Sequence, residues 1–242
     1  MQLEGKAALV TGAGRRVGRA LAVGLAAAGC DVAVHYSSSA TGAAETKRDI
    51  TQSGRKAELI RADLRDATAA RGLADQAVRA LGRLDVLVNA AAVMVKQAVL
   101  EVTPESWDAT LDLNLRAYFF VAQGAVAHLK KVRGKIVNIA DVGGLEPWPT
   151  YVPHSVSKAG VVMLTKGLAK ALAPEITVNA VAPGPVLLPD DWDDATRQRF
   201  AETTPLGLGS PEHVVNAVRY LLEGGDYVTG TVLVVDGGRM LR

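Results

Sequence analysis

Gly12, Gly14 and Gly18 lie within Lys6–Arg19, KAALVTGAGRRVGR, where a short apolar run passes through a glycine-rich turn into a helix-like segment. Glycines so placed permit a tight turn, close approach of backbone to a pyrophosphate, and close packing of the helix on the strand. Free N–H groups at the start of that helix would face an anion and favour negative charge there. Thr11, Arg15, Arg16 and Val17 belong to the same turn, so the chemistry expected here is phosphate binding. Alone, such a turn is also consistent with an ordinary strand-to-helix connection, and the rest of the chain has to decide. His35, His128, His154 and His213 have none of the usual zinc-ligand spacings, and no metal is expected.

The elements that must position these groups alternate. Apolar runs read as strands at Ala7–Val10, Asp31–Tyr36, Lys56–Arg61, Val86–Asn89, Lys135–Ile139, Thr177–Val181 and Thr231–Val235. Helices are expected over Val17–Ala28, Ala40–Ser53, Ala67–Leu81, Pro104–Lys131, Val152–Ala173 and Pro211–Glu223. Gly29, Gly54, Gly82, Gly134 and Pro174 punctuate the junctions. Strand and helix alternating in this way predict an α/β fold, a doubly wound parallel sheet with helices on both faces. Ligands of such sheets bind beyond the carboxyl ends of the strands, so the residues just after each strand carry the functional argument.

With 242 residues and no composition break, the chain is expected to form one domain, 1–242. A formal charge of +2 with mixed signs throughout gives no basic stripe, and nucleic acid is not an expected partner. The apolar stretches are strand-sized, so neither a membrane span nor a signal peptide is expected, and the expected location is cytoplasmic. Cys30, the single cysteine, heads an apolar run and reads as a buried structural thiol.

Several strand ends resemble those of the short-chain dehydrogenase/reductases. The turn is similar to their T-G-x-x-x-G-x-G, with Arg16 at the middle glycine. Beside it stand Ala62-Asp63-Leu64, Asn89-Ala90-Ala91, Asn114, Val137-Asn138-Ile139, Ser157-Lys158-Ala159-Gly160, Val178-Asn179-Ala180-Val181-Ala182-Pro183-Gly184 and Val235-Asp236-Gly237-Gly238. The resemblance spans essentially the whole chain and implies a seven-stranded Rossmann sheet, a nicotinamide cofactor and a homotetramer. It places the cofactor on the residues of the turn and of these strand ends, including Pro183, Gly184 and Val186, with Lys158 on the nicotinamide ribose.

NAD enzymes place Asp or Glu at the end of strand two to hold the ribose 2′-hydroxyl. Here that strand ends in His35-Tyr36-Ser37-Ser38-Ser39, without an acid. Arg15 and Arg16 add positive charge where a 2′-phosphate would lie, and serine hydroxyls can donate to it. The expected cofactor is NADP(H).

The family's catalytic set is a Ser after strand five, a Tyr four residues before a Lys, and an Asn in the fourth helix. Asn114 and Lys158 match; Asp141 stands in the place of the Ser and His154 in that of the Tyr. Pteridine reductases of this family also combine an arginine in the turn with an aspartate for the serine, and Leu172-Ala173-Pro174-Glu175-Ile176-Thr177-Val178-Asn179 resembles that subgroup. A carboxylate would repel the charge growing on a ketone oxygen, whereas reduction of C=N ends with a proton on nitrogen. Asp141 therefore favours an imine-type bond. Lys158 would disfavour a protonated His154 and Asp141 would favour it. Tyr151, seven residues before Lys158, is a second candidate acid, and a weakened site is the third reading. Trp148 and Trp192, in the segments after strands five and six, would offer an aromatic wall to a flat substrate, with core packing an equal reading for Trp148. Residues 185–205 are expected to form a substrate-covering loop, its acidic stretch at 190–194 exposed.

Three functions follow from these residues. The leading one is NADPH-dependent reduction of a C=N bond in a pterin-like small molecule. The others are carbonyl reduction, as of a 3-oxoacyl thioester, and a catalytically silent NADP(H)-binding sensor.

Overall fold

The computed structural model describes residues 1–188 and 193–241. Seven parallel strands, β1 (Ala7–Val10), β2 (Asp31–Tyr36), β3 (Ala57–Arg61), β4 (Val86–Asn89), β5 (Lys135–Ile139), β6 (Thr177–Pro183) and β7 (Val232–Val235), form one sheet in the order β3-β2-β1-β4-β5-β6-β7. The chain winds outward from β1 in one direction, then returns to β4 and winds the other way, so the crevice between β1 and β4 is the switch point.

The helices are α1 (Arg16–Ala27), α2 (Ala40–Gln52), α3 (Ala67–Leu81), α4 (Pro104–Leu111), α5 (Ala117–Lys130), α6 (Val152–Leu172), α7 (Asp194–Thr203) and α8 (Pro211–Glu223). Both sheet faces are covered, which is why the strands read as continuous apolar runs. Ala8 and Val10 pack with Leu21, Leu25, Val218 and Leu222 on the α1, α8 side. Leu9 turns to the opposite layer with Leu73, Val121 and Leu129. Cys30 is fully buried and burial pushes its thiol up to about 12, in keeping with a structural role.

Helix ends follow local chemistry. Asp66 caps α3 by accepting from Thr68 and Ala69 N–H, and Gly82 ends it in the left-handed region. Thr103 and Ser106 cap α4 reciprocally ahead of Pro104. His213 caps α8, its Nδ1 accepting from the Ser210 N–H at 2.9 Å.

Three expectations need correction. The helix expected over Pro104–Lys131 is α4 and α5 joined through a wider π-type turn at Asp112–Arg116. β6 runs on to Pro183, because a proline at a strand end loses no ladder bond that matters there. The substrate loop expected at 185–205 contains α7, whose polar sequence, with no buried residue, gives no apolar periodicity to read. Trp192 lies outside the described residues. Among the described residues, no helix is long and apolar enough to cross a membrane.

α3 and α5 approach closely through Gly124, where a Cβ would strike the carbonyl oxygen of Arg71. Backbone cannot swing away as a side chain can. Gly124→Ala is expected to cost about 1–3 kcal/mol through overpacking, read as a lowered urea midpoint at unchanged slope; an unchanged midpoint would show that the helices separate freely.

Candidate active site

Asn114, Asp141 and the pair His154 and Lys158, three separate stretches of sequence, converge at the carboxyl edge of β4 and β5. The π-type turn presents Asn114, fully buried, to the loop after β4. Its Oδ1 accepts from Val93 N–H at 2.9 Å, and its Nδ2 donates to Val93 O at 2.9 Å and to Ser157 Oγ at 3.1 Å. Ser157 Oγ in turn donates to His154 O at 2.6 Å. The amide is thereby fixed in orientation, with both of its hydrogens used.

His154, on the first turn of α6, is 4 % exposed. Its Nδ1 lies 3.2 Å from Val93 O, an atom that can only accept. Asn114 Nδ2 is also 3.5 Å from Nδ1, but its hydrogens already point elsewhere. The proton of the neutral ring therefore belongs on Nδ1. Nε2 is left buried and without a hydrogen-bond partner among the described residues, 3.7 Å from Asp141 Oδ2. A proton arriving at Nε2 gains that carboxylate as counter-charge.

Asp141 follows β5 and holds its own turn, Oδ1 accepting from Gly143 N–H at 2.7 Å. The turn can sit against α6 only because of its glycines: a Cβ at Gly144 would come within 2.6 Å of the Lys158 carbonyl carbon. Trp148 stacks on the His154 ring with centroids 6.2 Å apart and planes at 12°, so it borders the site in addition to packing. Tyr151, immediately before α6, meets Trp148 edge-on at 6.0 Å.

Lys158 is 2 % exposed, its Nζ donating to Ile139 O at 2.7 Å and to Tyr118 Oη at 3.4 Å. Burial pushes it down to about 8, against the opposing pull of Asp141. Tyr118, whose own hydroxyl burial drives toward the neutral form, and Ser157 were not singled out in the sequence. Tyr118 falls four residues after Asn114, one helical turn on, which is the signal that could have found it.

The glycine turn fits a bound dinucleotide. A Cβ at Gly12 would lie 2.8 Å from Ala91 Cα, one at Gly14 would meet Ser39 Oγ, and one at Gly18 would meet Gly12 O, so each glycine permits a close approach of the turn to its neighbours that a side chain would block. Thr11 Oγ1 accepts from Ala90 and Ala91 N–H at 2.9 and 3.0 Å, tying the turn to the end of β4. Asn89 Oδ1 is buried there without a hydrogen-bond partner among the described residues. Tyr36, Ser37 and Ser38 lie at the end of β2 beside Arg61, whose Nε donates to Ser37 O at 3.3 Å; this cation beside the serines was missed in the sequence. At the end of β3, Ala62 O meets His35, Asp63 pairs with Arg65 at 2.7 Å, and Leu64 is buried. Gly184, after Pro183, leaves 2.7 Å between a Cβ and Asp236 Cα, with Val186 packed on the core nearby.

Arg16 departs from expectation. It adopts φ 50°, the left-handed region that explains the glycine usual in the resembled turn. Its Nη2 donates to Leu187 O at 2.6 Å, so the side chain crosses to the segment after β6 and not to Ser37–Ser39. A long flexible side chain at the switch point can reach either half of the sheet.

His35 is a structural pin. Its Nδ1 accepts from Gly12 N–H at 3.1 Å and its Nε2 donates to Ala62 O at 3.2 Å, joining the ends of three strands.

The family described as enoyl-(acyl carrier protein) reductase matches residues 12–239. The chain is 36 % identical to 3β-hydroxysteroid dehydrogenase 1 of Eggerthella lenta over 99 % of this chain and 95 % of that protein. It is also 36 % identical to a 3-oxoacyl-[acyl-carrier-protein] reductase of Synechocystis, over 99 % and 98 %. Among solved structures, a blue fluorescent protein from a metagenomic library in complex with NADPH superposes with a TM-score of 0.91 at 34 % identity, covering 99 % of each chain. The chain belongs to the short-chain dehydrogenase/reductase family of oxidoreductases.

Burial lowers His35 from 6.5 to about 4, the bond to Ala62 and the charge of Asp63 opposing it. The folded state holds it neutral, so the unfolded chain binds the extra proton between these values and stability falls as pH drops from about 6.5 toward 4. The full effect is about 3 kcal/mol. His35→Asn, which keeps an acceptor for Gly12 but cannot titrate, is expected to lose that much less stability between pH 7 and 4 in urea unfolding; parallel pH profiles would contradict the pin.

Proposed function

We propose that this protein is an NADP(H)-dependent reductase that adds hydride and a proton across a C=N bond of a pterin-like ring. The observation that carries the reading is the juxtaposition of His154 Nε2, buried and unpartnered, with Asp141 and the Trp148 face. NADP(H) is supported by the strand-two end without an acid, by Arg61 beside Ser37, by Arg15 in the glycine turn, and by the relative solved with NADPH.

Bound in the cradle, the nicotinamide supplies the hydride. Asn114 holds the His154 ring by fixing Val93, and His154 carries the transferable proton on Nε2. Asp141 offsets the charge of that proton and orients an amino group of the substrate. Trp148 lines one side for a flat ring. Lys158, buried beside Ile139 O and Tyr118, positions the ribose and is the near cation of the relay. No phenol is required at position 154.

A homotetramer fits the exposed apolar stripe of Val156, Ala159 and Met163 on α6, with Phe119 of neighbouring α5. Carbonyl reduction is favoured by one observation, the activity named for the Synechocystis relative; Asp141 in the place of a neutral donor weighs against it.

The test is NADPH oxidation with 7,8-dihydrobiopterin beside a 3-oxoacyl thioester. The pterin alone is expected to turn over, and His154→Ala to lower kcat by about 10²-fold or more at unchanged NADPH affinity. Turnover of the thioester alone would move the protein to the carbonyl reductases, and binding of NADPH with turnover of neither would favour a cofactor sensor.

A further inference from the structure

A cavity of about 420 Å³ opens beside the Trp148 wall, lined by Glu146, Arg199, Phe200, Thr203 and Arg239. Its walls come from the turn after β5, from α7 and from the C-terminal turn, three segments far apart in sequence. We propose that this cavity binds a carboxylate carried by the substrate at a distance from the bond that is reduced. The inference rests on the reductase reading for which end of the substrate lies here, and gives that substrate a charged tail.

The site is built, not incidental. Asp236 accepts from Gly238 and Met240 N–H at 2.9 Å each, which fixes the turn that carries Arg239. Leu206 N–H donates to Gly237 O at 3.0 Å, and Thr204, 3 % exposed, bonds Phe200 O at 2.8 Å, so the end of α7 is tied to the same turn. The Arg239 guanidinium is held over the Phe200 ring at 4.5 Å. Among the described residues its Nε is buried without a hydrogen bond, Glu146 Oε1 lying 3.9 Å away. That oxygen is already taken by Trp148 Nε1 at 2.8 Å.

Among the described residues that line the cavity, two guanidinium groups therefore face one carboxylate. Asp193, at the start of α7, is exposed and its carboxylate caps Thr196 N–H at 2.7 Å. The excess positive charge and an arginine with an unsatisfied donor match a planar oxyacid, which guanidinium binds through two parallel N–H bonds. The chain Glu146, Trp148, His154 connects the cavity to the proton-carrying ring, so a ring against Trp148 could extend its tail to Arg239.

The probe is p-aminobenzoylglutamate, an aromatic fragment with two carboxylates and nothing for this site to reduce, titrated calorimetrically into the purified protein beside its uncharged diamide. The acid is expected to bind at least 10-fold tighter than the diamide, with Arg239→Gln and Arg199→Gln each removing most of that preference. Glu146→Gln, which removes the competing carboxylate, is expected to tighten binding several-fold, a gain that misfolding cannot produce. Equal binding of acid and diamide, no response to either arginine variant, or weakened binding in Glu146→Gln would overturn the proposal. Displacement of the probe by inorganic phosphate at lower concentration than by acetate would overturn the choice of carboxylate. Arginine-dependent binding without dihydropterin reduction would uphold the anion site while removing the reductase reading.

Discussion

The candidate site depends on the reciprocal bonding of one buried amide. Asn114 satisfies both backbone groups of Val93 and spends its remaining hydrogen on Ser157. An amide buried without those partners would cost several times what one hydrogen bond contributes, so the π-type turn, the loop after β4 and the first turns of α6 are locked as one unit. A wider turn is needed because an unbroken α-helix would carry residue 114 round to another azimuth.

From this lock the chemistry of His154 follows. Val93 O, fixed by Asn114, accepts the hydrogen bond of Nδ1, so in the neutral ring Nε2 is the bare nitrogen, 3.7 Å from Asp141 Oδ2. The glycines after Asp141 let its turn approach α6, and Trp148 closes the open side of the imidazole. Lys158 lies beneath, desolvated and pulled down to about 8 while still near a carboxylate. His154 thus sits among partners suited to an imidazole, with the Asp141 carboxylate 3.7 Å from Nε2.

Much of the architecture was legible in the residues. Strands buried on both faces cannot help reading as apolar runs, and β1, β2, β4 and β5 lie where those runs lie. The helix α7 was not legible, because no residue of it is buried and no stripe forms. Nor was the π-type turn, whose sequence differs in no way from ordinary helix. Asn114, Asp141, His154 and Lys158 could be picked out by spacing and resemblance. Val93 could not, since it acts through backbone that any residue has. Arg16 shows the limit for long side chains: its position was readable and its direction was not. Arg199 and Arg239 gain meaning only when α7 and the C-terminal turn meet.

The tautomer of His154 is the most direct test of this account. In protein labelled with [15N]histidine, with His154 assigned by its absence from His154→Ala, the ring nitrogens can be followed through a pH titration. In the neutral ring the proton is expected on Nδ1, with Nε2 bare. A neutral form with the proton on Nε2 would mean that Val93 O does not hold the ring, and the proposed assignment of Nε2 as the proton donor would fall.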